Sequence, residues 1–192
     1  MKKKFSLLLC CFAIATVEIN AKSLSGIYMN TSDYKNNKLA YQSTCNSEKH
    51  NHSIYVNNLF WDMPKIIVHN EGKKYYLLKD SIFGYKDCDN NVFRFYKNQE
   101  YKIVETSNMY IYTRDVNTTH GKGFKIVTQY YFSKNADSEI LPLVLENLKD
   151  VYKNNIAFID LLDMVFTNPT INIYDNTHNT FKINYLYSKT IK

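Results

Sequence analysis

Ile66-Ile67-Val68-His69-Asn70-Glu71-Gly72-Lys73-Lys74-Tyr75-Tyr76-Leu77-Leu78 decides how the chain folds. Its two ends are short runs of β-branched, aromatic and aliphatic residues, the types that fit a pleated surface. Between them Asn70-Glu71-Gly72 supplies a turn, with a glycine free to adopt positive φ. The unit reads as a β-hairpin, and the pattern recurs downstream. Residues 81–86 and 92–97 flank Asp87-Cys88-Asp89-Asn90-Asn91, and residues 101–106 and 109–114 flank Ser107-Asn108. Residues 117–123 read as a polar loop, and residues 124–132 as a long strand rich in Val, Ile, Thr and Tyr. Shorter apolar runs lie upstream at Ile27-Tyr28-Met29, Leu39-Ala40-Tyr41 and residues 53–56. Strands separated by short polar breaks predict an antiparallel β-meander. Tyr75 and Leu77 on one side of a strand, and Tyr76 and Leu78 on the other, predict cover on both faces. A curled sheet or small barrel would give that, as would helices packed on the sheet.

The helices follow. Ser138 is positioned to cap a start, with Glu139 in the first turn and Pro142 early enough to be tolerated. Ile140, Leu141, Val144, Leu145, Leu148, Val151 and Tyr152 keep helical spacing, Asn154-Asn155 interrupts it, and Phe158, Ile159, Leu161, Leu162, Val165 and Phe166 resume it. Asn168-Pro169 ends the pattern. The expected fold is therefore α+β: a meander followed by a two-helix hairpin packed on it, with helices within residues 138–167. In the tail, residues 171–174 and the alternation Phe181, Ile183, Tyr185, Tyr187 predict a last hairpin.

Lys2-Lys3-Lys4 precedes the apolar run 5–17, which ends in Glu18-Ile19-Asn20-Ala21. This is the pattern of a secretory signal peptide spanning residues 1–21, followed by a single domain over residues 22–192. The run is shorter than the roughly 20 residues a spanning helix needs, and no later stretch is long or apolar enough, so no transmembrane segment is expected in the mature chain. Cys10 and Cys11 raise a lipid anchor, but Leu9 precedes Cys10 and apolar residues continue to Val17, which disfavours it. The predicted location is periplasmic or extracellular. Cys45 and Cys88, in an oxidising compartment, are expected to form a disulfide.

The 192 residues are 45% hydrophobic and 15% aromatic, with 3 prolines and 5 glycines, a globular composition. Removing residues 1–21 takes away three lysines and one glutamate and lowers the net charge from +6 to +4. Of 24 basic residues only Arg94 and Arg114 are arginine, and the lysines form no block. Nucleic-acid surfaces use arginine for bidentate contacts, so this composition argues against such a partner.

Catalytic signatures fail. The chain has no GxSxG, HExxH, phosphate-binding loop or dinucleotide-binding glycine pattern, so no cofactor is expected. His50-Asn51-His52 puts two imidazoles on one side of an extended segment, near Cys45, but no ligand set accompanies them and no metal is predicted. Asp87, Asp89 and Asn91 imitate the start of a calcium loop, yet Val92 and Asn98 stand where glycine and glutamate belong. Arg94, between Phe93 and Phe95, is the more interesting residue. A two-residue Asp89-Asn90 turn would set it opposite Tyr85, and an Asn90-Asn91 turn opposite Asp87. Either pairing gives arginine a use that lysine lacks, stacking or a carboxylate fork. Tyr85, Arg94, Tyr96 and Trp61 are thus the candidate ligand-binding set, against the plainer reading of a cross-strand pair that orders the hairpin. The 17 tyrosines suit a binding surface but also ordinary half-buried packing.

Gly84-Tyr85-Lys86-Asp87-Cys88-Asp89, Arg94-Phe95-Tyr96, Tyr131-Phe132-Ser133 with Asn147-Leu148-Lys149, and Phe158-Ile159-Asp160-Leu161-Leu162-Asp163 resemble segments of uncharacterised exported proteins of Bacteroidetes bacteria. The resemblance implies export and carries no activity. The leading expectation is an extracytoplasmic binding or structural module of the bacterial cell envelope, not an enzyme, with an envelope component or small ligand as partner. Its rivals are a small secreted hydrolase built around His50, His52 or His69, and an apolar-ligand carrier with an interior cavity of roughly a few hundred Å³.

Overall fold

The structure is a computed structural model that describes residues 23–45, 52–56, 63–120, 123–167 and 170–191. The predicted signal peptide with Cys10 and Cys11, and also His50, Asn51 and Trp61, lie outside the described residues. No helix among the described residues is long and apolar enough to cross a membrane.

The chain is mixed α+β with antiparallel sheets. Strand β1 (Leu24–Tyr28) leads through helix α1 (Thr31–Lys35) to β2 (Ala40–Thr44). Strands β3 (His52–Tyr55), β4 (Lys65–Asn70) and β5 (Lys73–Leu78) form a separate three-stranded sheet. A 3₁₀ turn at Lys79–Ser81 then starts a run of strands: β6 (Gly84–Lys86), β7 (Val92–Tyr96), β8 (Gln99–Glu105), β9 (Tyr110–His120), β10 (Gly123–Ser133) and β11 (Leu141–Pro142). Helices α2 (Leu145–Val151) and α3 (Ile156–Val165), a short hairpin of β12 (Tyr174–Asp175) and β13 (Thr180–Phe181), and helix α4 (Lys182–Ser188) complete it. The main sheet has the order β11-β10-β9-β8-β7-β6-β1-β2, so β6 to β11 form a meander and β1 closes onto β6. Among the described residues the sheet stays open, with β11 and β2 as its edges, and does not close into a barrel.

The opening hairpin forms as its sequence dictates. Ile67 pairs with Tyr76 and Val68 with Tyr75, and Asn70 pairs with Lys73 around Glu71 and Gly72, both at positive φ (51° and 73°). That backbone matches the twist of the flanking strands. The hairpin does not join the meander. It lays Ile66 and Val68 on one face of the main sheet, against Ile27, Ile82, Tyr85 and Phe95. Tyr76 and Leu78 are more than half exposed, so β5 is covered on one face only. Lys65 and Lys74 hold their ammonium groups 5.0 and 5.2 Å from the centre of the Tyr76 ring, which explains an aromatic on the wet side.

Farther along that face, Met109, Ile111 and Phe132 meet Leu148, Phe158 and Leu162 from α2 and α3 and Ile183 and Leu186 from α4. The opposite face carries Tyr28, Phe83, Tyr101, Tyr112 and Arg94, and the segment from Ala136 to Ile140 lies over it.

Three expectations need correction. Residues 117–120 and 123 are strand, because Asn117, Thr118, Thr119 and His120 pair with Ile126, Lys125, Phe124 and Gly123. Polar residues suit a ribbon that has no core to cover. No helix starts at Ser138. The Asn135 side-chain oxygen accepts from the backbone N–H of Asp137 and from the N–H and hydroxyl of Ser138, which fixes a turn instead. Leu141 and Pro142 then pair at the sheet edge, where a missing N–H costs little. The first helix begins seven residues late, at Leu145, whereas Asn155 caps α3 by accepting from the Phe158 N–H at 3.1 Å. Finally, residues 182–188 form a helix. Ile183 and Leu186, three apart, both face the core, a spacing that the alternating aromatic pattern concealed.

Candidate functional site

Cys45 and Cys88 form a disulfide with Cα atoms 5.4 Å apart, tying the end of β2 to the β6–β7 turn. The turn is longer than either predicted version. Asp87 accepts from the backbone N–H groups of Asp89 and Asn91 through Oδ1 and from the Asn91 amide through Oδ2. With Lys86 paired to Val92, Tyr85 falls opposite Phe93 and Arg94 opposite Gly84, so neither predicted partner of Arg94 faces it. The register sends the predicted site residues to different places. Tyr85 is buried on the face that meets the three-stranded sheet, stacked on Phe93 at 4.7 Å, with its hydroxyl donating to Glu100 at 2.5 Å. Burial, reinforced by the Glu100 carboxylate, pushes that hydroxyl far above its ordinary pKa.

Arg94 and Tyr96 share the other face. Arg94 is 6% exposed, donating to the Tyr112 hydroxyl at 3.1 Å and to the Ser138 carbonyl at 2.8 Å. Its guanidinium lies about 6 Å from the rings of Phe83, Tyr96 and Tyr112. Tyr96 donates to Glu139, which also receives Lys97 at 3.2 Å. Trp61 lies outside the described residues, so Tyr85, Arg94 and Tyr96 are the members that can be placed, and they do not form one surface. His52 lies in β3 opposite Asn70, and His69 in β4 packs its ring 5.6 Å from that of Tyr55. Among the described residues no group of three or more His, Cys, Asp or Glu could hold a metal.

What the fold does assemble is a groove at the disulfide end of the sheet, on the same face as Arg94. It has a volume of about 370 Å³. It is lined by Tyr28 of β1, by Tyr34, Lys35 and Asn37, by Lys86, Asn90 and Val92, and by Tyr110 of β9. A second hollow of about 220 Å³ continues past Asn37, Lys86 and Asn90 to Leu24, Leu39 and Gln42. Its polar groups are held in place before any ligand arrives. Tyr28 donates to the Asn37 side-chain oxygen at 2.8 Å. Ser23 donates to the Asn90 side-chain oxygen at 3.1 Å and to the Cys88 carbonyl at 3.0 Å. Asn37 and Asn90 both adopt positive φ (49° and 63°), which asparagine tolerates better than most residues. Helix α1, which carries Tyr34 and Lys35, is capped by Asn30, whose side chain accepts from the Asp33 N–H at 2.9 Å.

The aromatic side is equally fixed. Tyr34 stacks on Phe83 at 4.5 Å, with Tyr28 edge-on at 5.5 Å and Tyr110 at 6.2 Å. Burial raises the pKa of the Tyr28 and Tyr34 hydroxyls, so both stay protonated donors at neutral pH. Among the described residues, the charged side chains are Lys35 and Lys86 in the first hollow and Lys86 in the second. The chemistry on offer is ring faces, amide and hydroxyl groups and two ammonium ions.

These residues come from four separate segments, 23–28, 34–42, 86–92 and 110, and no local motif joins them. The one signal in the sequence is two of its four asparagine doublets, Asn36-Asn37 and Asn90-Asn91, each marking a backbone reversal that presents an amide.

No protein-family model, curated protein or solved structure matches the chain.

Proposed function

We propose that the protein is an extracytoplasmic binding module of the bacterial cell envelope, and that the groove over Tyr28 is its ligand site. The ligand class that fits is a hydroxyl-rich, negatively charged saccharide. The observation that carries this reading is the groove's lining: tyrosine rings for sugar faces, oriented Asn37 and Asn90 for hydroxyls, and Lys35 and Lys86 as its charges. The disulfide, which suits an oxidising compartment, sits beside the site and steadies it. Export rests on the leader in residues 1–21 and is tested by the N-terminus of the secreted product, expected at Lys22.

Binding is tested by calorimetric titration of the exported chain with matched neutral and uronic-acid oligosaccharides. The acidic series is expected to bind, and the double substitution Lys35→Glu, Lys86→Glu to abolish it. Absence of binding by any saccharide at millimolar concentration would overturn the reading. Turnover of a bound saccharide would move the protein to the hydrolase class, and preference for an apolar ligand to the carrier class.

A further inference from the structure

The two hollows beside the disulfide form one cleft. Asn37, Lys86 and Asn90 line both of them. Strand β1 contributes to both, giving Tyr28 to the first and Leu24 to the second. From Leu24 to Tyr28 the extended chain covers about 13 Å, more than one pyranose ring spans. The second hollow, at about 220 Å³, is also smaller than the roughly 300 Å³ at which self-standing ligand sites begin. It is a continuation of the first hollow, not a separate site.

The chemistry changes along the cleft. The shared residues at its joint are donors. The Asn37 side-chain oxygen accepts from the Tyr28 hydroxyl at 2.8 Å, and that of Asn90 from the Ser23 hydroxyl at 3.1 Å. What each asparagine has left to offer is chiefly its amide N–H groups, and the Lys86 ammonium can only donate. Three donor groups at one place suit an oxygen that can only accept. The acetal oxygen that links two sugar rings is such an oxygen, whereas a hydroxyl both donates and accepts. On one side of the joint, the first hollow adds Lys35 and the Tyr34 ring. On the other, the second adds Leu24, Leu39 and Gln42 and, among the described residues, no further charge.

Resting on the saccharide reading above, we infer that the cleft takes two linked units: an acidic sugar in the first hollow, beside Lys35 and Lys86, joined to a neutral sugar in the second. The apolar ring face of the neutral unit lies on Leu24 and Leu39, and the linking oxygen lies among Asn37, Asn90 and Lys86. Selectivity then has two sources. The paired ammonium groups select the charge of one unit. The leucines select a neutral neighbour, because a carboxylate set against them would lose its water without gaining a partner. A chain of alternating acidic and neutral units fits this pattern, and a free uronic acid fills only the first hollow.

The probes are glucuronic acid, the disaccharides that join it to glucose in either order, the di-glucuronic acid, and a tetrasaccharide of the mixed repeat. Each is titrated calorimetrically into the exported chain. One mixed disaccharide is expected to bind about tenfold tighter or more than the free acid, and the tetrasaccharide to stay within about threefold of it. In nuclear magnetic resonance spectra the Leu24 and Leu39 methyls and the Gln42 amide should shift with that disaccharide and not with the free acid. Equal affinity for the acid and both mixed disaccharides would overturn the two-unit site and leave acidic-saccharide binding standing. So would a tighter disaccharide that leaves Leu24, Leu39 and Gln42 unmoved, a di-glucuronic acid that binds as tightly, or a further large gain at the tetrasaccharide. Failure of every probe at millimolar concentration would instead strike the saccharide reading itself, and this inference with it.

Discussion

Arg94 Nη2 donates to the Ser138 carbonyl at 2.8 Å, joining β7 to a segment 44 residues away. The contact pins the turn after β10 over the tyrosine-rich face, while the guanidinium plane also reaches the Tyr112 hydroxyl at 3.1 Å and faces three rings. A lysine has no planar fork with which to serve both acceptors. Arg94→Lys is expected to lower unfolding stability by about 2 kcal/mol, read from the shift of a urea transition at unchanged slope. A loss within error would show that the fork contributes nothing.

Gly84 lies across from Arg94, and its lack of a side chain is what lets β6 and β7 approach there. A Cβ would stand 1.8 Å from the Phe93 carbonyl oxygen and 3.0 Å from the Arg94 Cα, both main-chain atoms that cannot swing aside. Gly84→Ala should therefore cost about 3 kcal/mol or more. Gly72→Ala makes the useful contrast. It has open space around it and positive φ, so only the backbone penalty of about 1 kcal/mol is expected. Paired melting curves of the two variants check the ranking.

The hairpin at residues 66–78 was legible because hydrophobic period, turn residues and glycine position agreed there. The second amphipathic helix and the disulfide were legible for similar local reasons. Helix α2 was misread at its start because Ile140 and Leu141 keep helical spacing, and only the Asn135 side chain, reaching forward three residues, diverts the backbone. The Arg94 register turned on Asp87, whose carboxylate closes a turn longer than the two-residue options. Helix α4 was hidden because Phe181, Ile183, Tyr185 and Tyr187 alternate like a strand, and Asn184 between them is buried for a partner 75 residues upstream. The groove was not legible, since pairing of β1 with β6 brings Tyr28 and Lys86 together and no sequence spacing encodes that.

Asp175 gives the acid limb of the stability curve a distinct feature. Its carboxylate accepts from the His178 ring at 3.0 Å, from the N–H groups of Thr177 and His178, and from Lys182 at 3.3 Å. These contacts, the His178 side chain first, lower its pKa from 3.8 to about 2. A depressed carboxylate stabilises the fold above its unfolded pKa and loses that contribution as pH falls through the folded value. Between about pH 4 and pH 2 the native chain should thus lose stability more steeply than Asp175→Asn. Parallel slopes in acid titrations of the two proteins would exclude the effect.

Reducing the Cys45–Cys88 bridge frees a loop of about 42 residues. Chain entropy sets the loss at about 4 kcal/mol, and relaxation of the reduced state makes about 2–4 kcal/mol the expected range. The same treatment should weaken acidic-saccharide binding, because Asn90 and Lys86 stand on the strand and turn that the bridge anchors. Calorimetry on folded, reduced protein separates the two effects: a lower melting temperature with unchanged affinity would mean that Asp87 and Ser23 hold the turn unaided.

Asn184 is fully buried on α4 and satisfies three groups on other elements. Its oxygen accepts from the Met109 N–H at 2.9 Å, and its amide donates to Glu105 at 2.7 Å and to the Met109 carbonyl at 3.1 Å. Glu105 in turn accepts from the Phe181 N–H at 2.7 Å and from the hydroxyls of Thr180 and Ser107. The network docks the C-terminal helix on the end of β8 and the start of β9. Asn184→Asp is nearly isosteric, yet it sets a second carboxylate against Glu105 and removes the donor between them. Two carboxylates in one buried site cannot both ionise cheaply, so one must hold a proton. At neutral pH the variant should be less stable by about 3 kcal/mol, since two carboxylates then face each other and the Met109 carbonyl loses its donor. Lowering the pH toward about 5 should recover part of that loss, as the shared proton restores a hydrogen bond between the acids. Asn184→Leu, which has no group to protonate, should show no such recovery. Matched denaturation curves at the two pH values distinguish them, and equal pH dependence in both variants would refute the network.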